Sequence, residues 1–93
     1  LLDGHGPARV LEQLDRFAAR VPGARGSTAA CVVVDRARGE LCWARAGHPP
    51  PLLLDEGRVR LLEGPTGTVL GVPGRPPYRE NRVAAGPGAT VLL

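Results

Sequence analysis

The sequence predicts an α+β fold, one N-terminal helix laid on an antiparallel sheet of about five strands. Three observations predict it. Apolar residues recur at the helical period near the start of the chain, the pattern switches to short β-rich runs from Thr28 onward, and two pairs of those runs close through compact turns. At 93 residues the chain makes at most one domain, and a chain of that size buries only about 60–65% of the surface its unfolded form exposes. A single helix covers two or three strands, so the margin of stability should be thin and part of the sheet should need further material.

The helix is predicted over 7–21. Pro7 suits the first helical position, and Val10, Leu11, Leu14, Phe17, Ala18 and Val21 form one stripe at the 3.6-residue period, expected to be buried. Arg9, Glu12, Gln13, Asp15, Arg16 and Arg20 take the other faces, with Glu12 and Arg16 at the favourable i,i+4 spacing. Pro22 and Gly23 stop the helix. A β-meander follows over 28–62. Residues 28–35 and 40–46 flank Arg36-Ala37-Arg38-Gly39, a hairpin with Gly where a positive φ is expected. Gly47 to Pro51 interrupt the meander, and then Leu52–Leu54 and Val59–Leu62 flank Asp55-Glu56-Gly57-Arg58 as a second hairpin. Residues 63–77 hold Gly and Pro so densely that an ordered, irregular loop is expected, with room for one short strand at Thr68–Gly71. Strands fill 78–93: Tyr78–Ala84 alternates, and Gly86-Pro87-Gly88 turns into Ala89–Leu93.

Composition excludes several classes of function. All 12 basic residues are Arg, interleaved with 9 acidic ones, so the net charge of +3 forms no block suited to nucleic acid. Phe17, Trp43 and Tyr78 are too few and too separated for a base-stacking platform. Apolar runs fall well short of the ~20 residues that span a bilayer, and no membrane contact is expected. Cys31 and Cys42 lack the paired spacing of a zinc site and read as two small buried hydrophobes in a reducing cytoplasm. The chain starts at Leu1, has no Met, and ends in Val91-Leu92-Leu93, which reads as an unfinished strand; it is expected to be cut at both ends.

No residue of the chain is assigned a catalytic, cofactor-binding or metal-ligating role. Ser27 and Thr28 lack the G-x-S-x-G surroundings of a nucleophile and read as strand residues. His48 is the side chain type best suited to general acid work, yet the sequence places no acidic partner beside it. Flanked by Gly47 and Pro49, it reads as a strand-to-strand corner with a local hydrogen bond. Pro49 to Pro51 read as a rigid strand entry.

Gly26-Ser27-Thr28-Ala29, the strand ending at Asp35, Gly39-Glu40-Leu41, the run from Trp43 through Gly47-His48-Pro49-Pro50-Pro51 to Leu53, Gly57, Leu70-Gly71 and Pro87-Gly88 occur in one order. Together they resemble the SpoIIE-like (RsbU-like) branch of the metal-dependent, PPM-type protein serine/threonine phosphatases of bacteria. The Arg-only, Ile-free composition fits a GC-rich bacterial genome. The resemblance implies that the chain is part of an α-β-β-α sandwich. It implies Mn²⁺ or Mg²⁺ in the intact domain, held by aspartates of three loops that lie outside this chain, so that the chain alone is inactive. It also implies a phosphoprotein substrate, of the anti-sigma-factor antagonist kind, and an upstream sensory domain in the parent protein. Asp3-Gly4-His5-Gly6 matches the letters of a metal loop in the eukaryotic type 2C phosphatases. Its spacing differs: only Leu1 and Leu2 precede it, and one helix fits before Gly26. It reads as a turn between two helices with Gly6 near the cap. Ala89, where the family has Asp, and Cys31, where it has larger apolar residues, depart from the pattern. The alternative is a non-catalytic phosphatase-like interaction module or scaffold.

Overall fold

A computed structural model describes residues 6–93, so the Asp3-Gly4-His5 reading lies outside the described residues. The element order is α1 (Pro7–Arg20), β1 (Ala29–Asp35), β2 (Glu40–Ala46), β3 (Leu52–Asp55), β4 (Arg58–Leu61), β5 (Asn81–Ala84) and β6 (Thr90–Leu92). The α+β class stands, but the strands divide between two three-stranded sheets, ordered β1-β2-β5 and β4-β3-β6. The break at 47–51 releases the second hairpin from the first. The loop over 63–77 then returns the chain to β2, where Trp43 pairs with Asn81, and the turn at 86–88 sends it back to β3, where Leu54 pairs with Thr90.

Both predicted hairpins form. Asp35 pairs with Glu40 around a turn in which Gly39 has φ 65° and Arg38 N–H donates to Asp35 Oδ1 at 3.1 Å. Asp55 pairs with Arg58, leaving Glu56 and Gly57 as a two-residue turn with φ 52° and 74°, the left-handed pair that matches the twist of a hairpin. The expected strand at Thr68–Gly71 does not form; Gly67 alone bridges to Ala46. The loop is instead pinned by Gly67 N–H to Arg45 O, Leu70 N–H to Ser27 O, and Tyr78 Oη to Thr68 O at 3.0 Å.

As the central strand of its sheet, β2 is buried from Leu41 through Ala46. Its two faces feed two cores. Ala44 and Ala46 meet Leu11 and Ala18 of α1 together with Leu70 and Tyr78 of the loop, whereas Leu41 and Trp43 meet Leu53 and Leu62 in the core between the sheets.

The predicted helical stripe is rotated. Pro7, Leu11 and Ala18 face the sheet, while Phe17 stays 64% and Leu14 40% exposed. The reason lies in what α1 meets. The sheet offers the small side chains Ala29, Cys31, Ala44 and Ala46, which favour close approach by small helical residues. Glu12 and Asp15 turn inward as well, because an arginine of the loop holds both.

Candidate functional site

Three polar assemblies hold the loops at the edges of the sheets. The first is built on Arg75. Its guanidinium pairs with Glu12 and, at 3.0 Å, with Asp15; it donates to Pro76 O at 2.8 Å and stacks 3.9 Å from the centroid of the Tyr78 ring. Glu12 also accepts from Tyr78 N–H (3.1 Å), and Asp15 from Gly71 N–H (2.8 Å). The hydrogen bonds from Arg75 hold both carboxyls below their ordinary range against the opposing effect of burial, and the same bonds raise the arginine above its own. The Glu12–Arg16 pairing expected from spacing is therefore replaced by a contact across 63 positions of sequence.

The second assembly sits at the N-terminus of α1. Gly6 is the N-cap and provides no side chain, so Glu80 supplies the missing acceptor from β5's approach: Ala8 N–H donates to its Oε2 at 3.1 Å. Its Oε1 takes the Cys42 thiol at 3.6 Å. Burial, then the Glu80 charge, push the Cys31 and Cys42 thiols upward, which makes them poor nucleophiles; both are free.

The third is the 47–51 corner. Thr28 Oγ1 and His48 Nδ1 lie 3.2 Å apart, and Arg45 reaches under the corner to the His48 carbonyl at 3.0 Å. The partner of His48 is thus not a neighbour within the corner, as the sequence led one to expect, but Thr28, 20 positions away just before β1. Pro51 is buried at the start of β3, and its carbonyl accepts from Leu62 N–H at 2.8 Å.

Among the described residues no three His, Cys, Asp or Glu side chains cluster to hold a metal ion. Six carboxylates are engaged elsewhere: Glu12 and Asp15 by Arg75, Glu80 by the helix end, Asp35 by Arg38 N–H, Asp55 by Gly86 N–H, and Glu40 by Arg82 at 3.7 Å. Asp35 and Glu40 do line the cavity of about 640 Å³ that opens between the sheets. A two-metal centre does not fit the described donor set.

Two residues that matter here escaped the sequence reading. Arg75 lies in the Gly/Pro-rich loop, where nothing local marks it. Arg45 was findable, since it takes the third place in the alternation Leu41, Trp43, Arg45, where an apolar residue is expected.

Fold and side chains together define a class: a scaffold of two facing antiparallel sheets with a helix laid on one of them, its loops fastened by arginines. The profile of the family described as Stage II sporulation protein E (SpoIIE) matches residues 1–93. The crystal structure of the RsbU and RsbW domains of Rv1364c from Mycobacterium tuberculosis superposes with a TM-score of 0.74 at 33% sequence identity, over 95% of this chain and 25% of that one. The chain belongs to the SpoIIE family, with the PPM-like fold that the resemblance of its ordered motifs implied. It spans about a quarter of the matched chain's length.

Proposed function

We propose that the protein carrying this chain is a metal-dependent protein serine/threonine phosphatase acting on a phosphorylated regulatory protein of the anti-sigma-factor antagonist kind. The observation that supports it is the match of the whole chain to the SpoIIE family, together with the likeness to a structure that contains an RsbU domain. In this reading residues 1–93 supply scaffold, and Mn²⁺ or Mg²⁺, held by carboxylates of other segments, would supply the activation of water. Arg75 and the corner at Gly47–Pro51 fasten the loops of that scaffold.

The test is release of phosphate from a phosphoserine-bearing antagonist protein by the full-length gene product, with and without Mn²⁺. Metal-dependent release is expected from the full-length protein and none from residues 1–93 alone. Full-length protein that folds, binds the antagonist and releases nothing would establish the scaffold reading instead.

A further inference from the structure

The faces of α1 are unequally used. Successive residues advance about 100° around a helix, so Pro7, Leu11 and Ala18 fall on one line, which meets the sheet at β1 and β2. Beside that line Val10, Leu14, Phe17 and Val21 follow at spacings of four, three and four, the seam spacing of a packed helix pair. Val10 and Val21 are half-buried, but Leu14 and Phe17, at the middle of the seam, stay 40% and 64% exposed. The opposite flank of the helix is closed, because Arg75 of the 63–77 loop holds Glu12 and Asp15 there.

Single apolar residues on a surface need no account, but a seam running the length of a helix does. Its outer border is basic. Arg9, Arg16 and Arg20 lie along the side of the seam away from the sheet, are exposed, and form no ion pair among the described residues. A second copy of the chain would set its own three arginines beside these, which like charges disfavour. The surface that matches is an apolar helical stripe with Asp or Glu along one edge. The turn before α1 points to its source. Asp3-Gly4-His5-Gly6 reads as a turn between two helices, and Gly6 is the N-cap of α1. A connection that short makes its two helices antiparallel neighbours. With one flank of α1 taken by the loop and another by the sheet, the neighbour falls on the seam.

We propose that the seam of Val10, Leu14, Phe17 and Val21 is the docking surface for the helix that precedes this turn in the parent protein. That helix packs antiparallel to α1, with acidic residues along the edge that faces Arg9, Arg16 and Arg20. Packing and charge alone carry this, whether or not the parent protein is a phosphatase.

The full-length protein with a benzophenone amino acid in place of Phe17 provides the test, since the probe keeps an aromatic group at the seam and, on irradiation, bonds to whatever covers it. An adduct within one chain is expected, at a yield independent of protein concentration, to a peptide that lies before residue 1 and contains Asp or Glu. The same probe in place of Ala19, which is exposed on the side of α1 away from the seam, should give about a tenth of that yield or less. Arg16→Glu together with Arg20→Glu should lower the yield from the Phe17 position by about threefold or more at low salt, and by less at about 1 M salt, where surface charges are screened. An adduct to a second copy, to a segment after residue 93, to another protein or to nothing overturns the docking of the preceding helix, as does an equal yield from the Ala19 position. A yield from the charge-reversed protein within about twofold of the parent's at low salt overturns the acidic edge; if that protein does not fold, Arg20→Gln read in the same way decides.

Discussion

Replacing Arg75 by Met tests the contact on which the position of the 63–77 loop depends. The side chain is 9% exposed, facing Asp15 at 16% and Glu12 at 30%. The substitution removes charge-assisted hydrogen bonds to both carboxylates and leaves them close together on one helical face with no cation. Removing one partner of a fully buried ion pair costs about 3–5 kcal/mol. Glu12 is open enough for water to reach it, which lowers the figure, while loss of the cation–π contact with Tyr78 adds about 0.5–1 kcal/mol. The expected loss is about 3 kcal/mol, with Arg75→Lys losing roughly half of that because the charge remains and the fork does not. The pH dependence follows from the depressed carboxyls. A group whose folded-state value lies below its unfolded value contributes fully above the unfolded value, so the clamp stabilises the domain at neutral pH. That contribution fades as pH falls through the ordinary carboxylate range toward the depressed values. Arg75→Met should flatten this acid limb. Urea unfolding at pH 7 and across the acid range, with hydrogen exchange of the peptides covering 63–78, measures both effects. A loss below about 0.5 kcal/mol, with exchange in the loop unchanged, refutes the reasoning.

Two further substitutions probe the other assemblies, and a third the second hairpin. Glu80→Ala removes the acceptor at the N-terminus of α1 and should cost about 1 kcal/mol, with faster amide exchange confined to the first turn of the helix. His48→Ala loses the contact with Thr28 and should cost about 1 kcal/mol of stability while leaving metal affinity and turnover of the full-length protein intact; a folded variant that binds metal and has lost turnover would contradict it. Glu56→Asn gives the second hairpin the Asn-Gly pair its left-handed turn favours and should raise stability by about 0.5–1 kcal/mol, read as a higher urea midpoint at constant slope.

Local chemistry determined the elements of this protein. Pro7 with Pro22-Gly23 bounded the helix, Gly39 and Glu56-Gly57 set two turns, and the run from Ala44 to Leu53 marked the family, because each of these depends on residues close together in the chain. Tertiary structure decided how the elements meet. Which face of α1 is buried could not be read from its apolar stripe, since the burial of Glu12 and Asp15 requires Arg75, some 60 positions away. The division into two sheets turned on where β5 and β6 return, to β2 and β3, and these are long-range pairings with no local signature. For the candidate site, the sequence placed His48 at a corner between strands, where it meets Thr28. Only the fold brought Arg45 to the Gly64 carbonyl and Arg75 to Glu12 and Asp15, contacts between segments far apart in the chain.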